Sequence, residues 1–228
     1  MSTGYVSAGR TDRGNVRDHN EDAILMRDDL GLWAVADGLG GHSAGDFASR
    51  RVVDRLDALR RAADLSDFID AIETALCEVN LELRTLAREQ DLDIVGSTVA
   101  LLVCDRDLVM CGWVGDSRVY GFGDGRLTCL TRDHVVGATA AGAPGGALTR
   151  AIGADDDLFI DWAVVGRRPG SGFLLCSDGI NKEMSDDELA EHCQRHREPR
   201  VLVDRVLETA LGRAGRDNAS AIAVRLEA

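Results

Sequence analysis

Aspartates stand at the ends of apolar runs along this chain. Leu32-Trp33-Ala34-Val35-Ala36 leads straight into Asp37-Gly38, and Phe173-Leu174-Leu175-Cys176 passes through Ser177 into Asp178-Gly179. Leu108 to Val114 ends on Gly115-Asp116-Ser117, while Glu21-Asp22 and Asp217-Asn218 each precede a new apolar run. A core strand fixes the residue at its end, so strand rims are good places for ligands to converge. Carboxylates meeting at one rim repel unless a cation neutralises them. Mg²⁺ and Mn²⁺ favour carboxylate, carbonyl and water oxygens. Two such ions sharing a carboxylate can clamp and activate a water for displacement at phosphorus.

Taken singly, an Asp-Gly pair is an ordinary turn, and Asp124-Gly125 reads as a hairpin turn between two strand-like runs. The stretch Asp37-Gly38-Leu39-Gly40-Gly41 holds more glycine than a hairpin needs, which suggests close backbone approach to something. It lacks the lysine and serine of a phosphate-binding P-loop, so nucleotide binding is discounted.

The elements that position these residues come in an order that does not alternate strand and helix. Short strand-like runs open the chain at Tyr5–Ala8, Ala23–Met26 and Leu32–Ala36. A helix that Ser43 can cap follows, with Ala48, Val52, Leu56 and Leu59 spaced 4, 4 and 3. A longer helix from about Ser66 carries Phe68, Ile72, Leu76, Val79, Leu83 and Leu86 as one stripe. The period then changes to strands at 98–103, 108–114, 118–122 and 126–130. A Gly/Ala-rich loop or flap at 135–147 leads to strands at 159–165 and 172–176. Helices at 186–196 and 199–212 follow, Pro199 suiting a first turn, before a last strand at 219–226. Hairpin-linked strands with grouped helices predict antiparallel sheets with helices on their outer faces.

Composition narrows the function class. The 228 residues carry a formal net charge of −13, a poor match for nucleic acid. With 45% hydrophobic and 29% charged residues the chain reads as an ordinary globular protein. No apolar run reaches membrane-span length, and residues 1–10 lack the pattern of an export signal. None of the six cysteines forms a Cys-x-x-Cys pair, which argues against zinc and for reduced, buried thiols in the cytoplasm. No repeat, Pro-rich linker or low-complexity tract divides the chain, so residues 1–228 are expected to form a single domain.

Seven blocks, in order from residue 17 to 218, resemble the motifs of the metal-dependent, type 2C (PPM) serine/threonine protein phosphatases of bacterial type. They are Arg17-Asp18-His19-Asn20-Glu21-Asp22-Ala23, Val35-Ala36-Asp37-Gly38-Leu39-Gly40-Gly41-His42, Gly96-Ser97-Thr98, Val114-Gly115-Asp116-Ser117-Arg118, Leu148-Thr149-Arg150, Cys176-Ser177-Asp178-Gly179 and Gly215-Arg216-Asp217-Asn218. The resemblance implies an α+β fold, a four-layer α-β-β-α sandwich of two antiparallel sheets flanked by helices. It also implies two Mn²⁺ or Mg²⁺ ions at one end of the sandwich. Asp37 would bridge both ions and the Gly38 carbonyl would ligate the first. Asp178 and Asp217 would hold the second, with Glu21 a further or water-mediated ligand and Asp22 behind it. Asp116 matches a ligand of a weaker third ion, and Arg17 the guanidinium that holds substrate phosphate. The implied reaction is attack of a metal-bridging water on phosphoserine or phosphothreonine, without a phosphoenzyme, reversing a serine/threonine kinase. The implied enzyme is a monomer with a phosphoprotein substrate, no nucleic-acid partner and no membrane insertion. A non-catalytic binding module and a phosphatase of small phosphoesters are the competing readings. The intact carboxylates speak against the first of these.

Three departures from the pattern stand out. Leu39 replaces a histidine that animal members carry after the metal-site Asp-Gly, with His42 three residues on, so a metal-bound water is the default proton donor. The segment from Asp133 to Arg150 is short, which gives a shortened flap at about 134–147. Lys182 stands where many relatives have a metal-binding aspartate, which counts against a third ion; it is expected to pair with Asp116 or Asp178, Asp116 first. The run Ser177 to Glu183 is also similar to phosphatases encoded with type VI secretion systems. Arg118 and Arg150 are read as ion-pair residues, Ser97 and Thr98 as backbone supports, and His19 and His134 as solvated or supporting groups.

Overall fold

The computed structural model describes residues 4–40, 44–137 and 146–227. Ser43 and His42, with the cap and the position expected for them, lie outside the described residues, as does most of the flap. Among the described residues eleven strands and five helices follow one another. They are β1 (Tyr5–Asp12), β2 (Asp22–Arg27), β3 (Leu32–Leu39), α1 (Ala44–Asp57), α2 (Leu65–Glu89), β4 (Gly96–Ser97), β5 (Val99–Cys104) and β6 (Leu108–Val114). Then come β7 (Arg118–Gly123), β8 (Arg126–Cys129), β9 (Asp161–Gly166), β10 (Gly172–Cys176), α3 (Asp178–Asn181), α4 (Asp186–Arg195), α5 (Pro199–Gly212) and β11 (Ala219–Leu226).

The strands form two antiparallel sheets, ordered β1-β11-β10-β7-β8 and β2-β3-β5-β6-β9, with β4 beside β3. Period-two alternation sends successive side chains of the central strands into different cores. From β3 and β5, Leu32, Ala34, Leu101 and Val103 pack against α1 and α2 residues such as Val52, Phe68, Ile72 and Leu83. Their neighbours Trp33, Val35, Ala100 and Leu102 meet Phe173, Leu175, Ile222 and Val224 between the sheets. On the far side Leu174, Cys176, Ala221 and Ala223 pack with Leu189, Leu202, Val206 and Leu207 of α4 and α5. Three cores between four layers make the α-β-β-α sandwich, and strands buried on both faces explain why these runs read as continuous apolar stretches rather than alternating ones.

Asp124 and Gly125 have φ of 49° and 75°, the paired positive values of a tight hairpin turn between β7 and β8. Strand β9 begins at Asp161, two residues later than the pattern suggested, because Phe159 is exposed rather than packed. The four-residue α3 is an addition: one turn is too short to show a helical period. Four cysteines are buried as expected, but Cys129 is only partly buried and Cys77 is exposed on α2, so the reading of all thiols as buried is corrected.

Candidate metal and phosphate site

Both sheets end at one rim, and the acidic residues gather there. Asp37 lies near the end of β3, directly across from Asp22 at the start of β2; β3 runs on to Leu39, past the expected end at Ala36, because Gly38 and Leu39 pair with β4. Like charges facing across a strand pair are unfavourable, so this pairing asks for neutralisation. Asp116 follows β6, Asp178 follows β10 as the first residue of α3, and Asp217 precedes β11. Arg17, Glu21, Asp37, Gly38, Asp116, Asp178, Lys182 and Asp217 line one cavity of about 490 Å³. Asp22 lies behind it and is buried.

The backbone around Asp37 is held tightly. Its N–H donates to Thr98 Oγ1 at 3.1 Å, and its carbonyl accepts from Ser97 Oγ at 3.1 Å and from the Thr98 N–H at 2.8 Å. Ser97 and Thr98 therefore act as backbone supports. The Gly38 N–H donates to the Glu21 carbonyl at 3.0 Å. A Cβ on Gly38 would stand 2.0 Å from the Gly45 carbonyl oxygen, so the glycine here serves close approach to the start of α1. Gly115, just before Asp116, has φ of 106°, a conformation glycine adopts at little cost.

Asp22 ties the two sheets together. Its Oδ2 accepts from Ser177 Oγ and Ser220 Oγ, each at 2.7 Å. Its Oδ1 has no partner among the described residues, and burial pushes its pKa up to about 7 against the pull of those two hydroxyls. Asp37 is raised well above the usual carboxylate range by burial first, then by Asp22, Asp178, Asp116 and Asp217. Burial raises Asp116 to about 6, with Asp178 adding to the rise and Lys182 opposing it. Asp178 and Glu21 are also raised, again chiefly by burial. A cluster that disfavours its own negative charge in this way is a site in which a cation is stabilising.

Two basic groups already touch the cluster. Arg17, about half exposed, forks onto Asp217, with Nε 2.9 Å from Oδ1 and Nη2 3.0 Å from Oδ2. Lys182 pairs with Asp178, not with Asp116 as first expected: the two are four residues apart across α3, and that spacing brings them together. With those two carboxylates engaged, no three acidic, histidine or cysteine side chains among the described residues close on one point as a ready-made cage. The donor set nevertheless fits hard divalent ions. All its acidic members offer oxygen, they line one cavity, and among the described residues Asp178 Oδ1 is buried without a partner.

One residue that sequence reasoning left without a role is Asn218. It is 5% exposed, its Oδ1 accepts from the Glu21 N–H at 2.8 Å, and its Nδ2 donates to the Arg13 and His19 carbonyls at 2.7 and 2.8 Å. It thus pins the loop that carries Arg17 and Glu21 beside Asp217. Its place right after Asp217 was the available signal. Of the two roles open to His134, solvated or supporting, it takes the supporting one, since it is buried. Its Nδ1 accepts from the Gly115 N–H at 3.1 Å, leaving Nε2 to donate to Asp161 at 3.1 Å. Arg118 forks onto Asp133 and Arg150 pairs with Asp161, both as ion-pair residues. His19 is exposed.

Comparison with known proteins follows the same lines. The family model described as "Protein phosphatase 2C" matches residues 12–211. The chain belongs to the protein phosphatase 2C family. It is 33% identical to the serine/threonine phosphatase stp of Listeria monocytogenes, over 94% of this chain and 93% of that one. Among solved structures, PppA, a key regulatory component of T6SS in Pseudomonas aeruginosa, superposes with a TM-score of 0.94 at 38% identity, covering 97% of each chain. The catalytic domain of the serine/threonine protein phosphatase PstP, in complex with two manganese ions, superposes with a TM-score of 0.86 at 29% identity, covering 98% of this chain and 99% of that one. The chain is accordingly a protein serine/threonine phosphatase of this family, with the expected fold. Among the described residues no helix is long and apolar enough to cross a membrane.

Proposed function

We propose that the rim cavity is the catalytic centre, and that Asp37, the Gly38 carbonyl, Asp178, Asp217 and Glu21 hold two divalent ions there. The observation that carries this is the convergence of these carboxylates from both sheets on one cavity whose burial disfavours their charge. When bound, Mn²⁺ or Mg²⁺ supplies Lewis-acid charge at the phosphate and lowers the pKa of a coordinated water. Asp37, which feels the charges of Asp22, Asp116, Asp178 and Asp217, would be the carboxylate shared between the ions. Asp22 accepts the Ser177 and Ser220 hydroxyls and so keeps the β2, β10 and β11 ends in register beneath it. Arg17 is exposed enough to turn its fork from Asp217 to a substrate phosphate, which has the same bidentate geometry. Asp116 faces the cavity beside these groups and is the candidate for any further cation.

The substrate in this reading is a phosphoserine or phosphothreonine segment of a protein, and the partner is the kinase that made it. The enzyme works as a cytoplasmic monomer with one catalytic domain spanning the chain and a short flap. The neck of that flap is described: residues 134–136 pair with 147–149 through Thr149 N–H to the His134 carbonyl at 2.7 Å and Val136 N–H to the Ala147 carbonyl at 2.9 Å. Likeness to PppA and the run Ser177 to Glu183 support a role beside a type VI secretion system. The test is turnover of phosphothreonine and phosphoserine peptides with Mn²⁺, against small phosphoesters and against chelator. Preference for the peptides supports the reading. Turnover of small esters alone, or of nothing, contradicts it.

A further inference from the structure

Lys182 is the only lysine among the 26 basic Lys and Arg residues of this chain. Every other ion pair from a basic side chain among the described residues uses arginine or histidine. That one lysine ammonium is spent inside the acidic cavity, on Asp178 Oδ2, while Oδ1 of the same carboxylate is buried and has no partner among the described residues. Asp116, from the β6–β7 link, and Asp217, ahead of β11, lie near enough to act on it as well. Its side chain is 41% exposed, and it is the residue at which α3 ends, so its stem can leave the cavity without unwinding a helix.

These facts separate Lys182 from Arg17. A guanidinium forks onto a carboxylate in fixed planar geometry, whereas an ammonium is a compact, strongly hydrated point charge on a flexible stem. A compact charge at one oxygen of a carboxylate cluster occupies the kind of position a small hard cation takes. It neutralises Asp178 when no ion is there, and it must yield when one arrives.

We propose that Lys182 is a tethered counter-cation that competes with a divalent ion for Asp178 and so sets the metal affinity of the site. This rests on the reading of the cavity as a metal centre. It makes metal uptake an exchange of one cation for another, with Lys182 swinging out to solvent. Removing the ammonium should therefore tighten metal binding, the opposite of what the loss of a supporting residue would do.

Calorimetric titration of Mn²⁺ into the purified chain, with no substrate present, tests this. Lys182→Met keeps the apolar stem and removes the charge, and its Mn²⁺ Kd should fall by roughly tenfold, as expected for one partly desolvated competing charge. Lys182→Arg keeps the charge and should bind Mn²⁺ more weakly than Lys182→Met. Equal or weaker binding in Lys182→Met overturns the competition while leaving the metal centre standing. No Mn²⁺ uptake by the wild-type chain overturns the metal centre, and the competition with it. A second measurement needs no variant. In protein labelled only at lysine with ¹³C and ¹⁵N, the side-chain spectrum is that of Lys182 alone. Its Cε signal should move in proportion to Mg²⁺ uptake, and a signal that stays fixed while Mg²⁺ binds refutes the exchange.

Discussion

Replacing Asn218 by alanine is the most informative single change to the support of the site. Its amide makes three hydrogen bonds, to the Glu21 N–H and to the Arg13 and His19 carbonyls, at 2.7 to 2.8 Å. All three reach a segment about two hundred residues away in sequence, and an alanine side chain can make none of them. A buried hydrogen bond contributes about 1 kcal/mol net, and a group left unsatisfied costs about 1–3 kcal/mol. The loop from Arg13 to Asn20 is largely exposed, so its two carbonyls can recover water, and only the Glu21 N–H stays shielded. The sum is about 3–5 kcal/mol, a large part of the roughly 5–15 kcal/mol of a typical domain. Urea unfolding in chelator should show that loss as a lower midpoint with unchanged slope. Because the freed loop carries Arg17 and Glu21, kcat/KM on an aryl phosphate with Mn²⁺ should fall at least ~10-fold, or ~1.4 kcal/mol. A stability change under ~0.5 kcal/mol, in the range of ordinary surface substitutions, together with wild-type kinetics, would refute the assignment of Asn218 as the pin of this loop.

Further outcomes follow from the same geometry. Asp37→Ala or Asp217→Ala should lower kcat by at least ~100-fold, ~2.7 kcal/mol in the barrier, while Arg17→Ala should act chiefly through KM; steady-state kinetics on an aryl phosphate separates the two patterns. Gly38→Ala should abolish both activity and Mn²⁺ uptake, because its Cβ would meet the Gly45 carbonyl oxygen at 2.0 Å, and soluble protein with intact titration would count against that. Adding Mn²⁺ at about 100 times its Kd should raise unfolding stability by about 2.7 kcal/mol, measured as a rise in Tm that chelator reverses. Tyr120→Phe should cost about 1–3 kcal/mol in denaturant unfolding with activity kept, since the buried hydroxyl links Arg118 to Asp186 away from the cavity.

Much of this was legible in the sequence, because core strands announce both themselves and their ends. The runs leading into Asp37 and Asp178 are strands buried on both faces, so their continuity marked β3 and β10 and put both aspartates near the rim, although β3 runs on through Asp37 to Leu39 by pairing with β4. The stripe from Phe68 to Leu83 fixed α2 in the same way. What escaped notice depends on contacts between distant segments. Asn218 looks like any polar loop residue until the Arg13–Glu21 segment folds beside it. His134 is buried only because the flap neck and Asp161 close over it. The α3 turn is too short for a period, and with it went the simplest clue to the partner of Lys182, an acidic residue four positions before it.

Where metal binds is the decisive property of this chain. Crystals soaked in Mn²⁺ and measured at the manganese absorption edge would give an anomalous difference map of it. Two peaks are expected in the rim cavity, with Asp37 between them and Asp178 and Asp217 beside one, and Lys182 turned away from Asp178. Peaks elsewhere, or a cavity without manganese while Lys182 still holds Asp178, would contradict that placement.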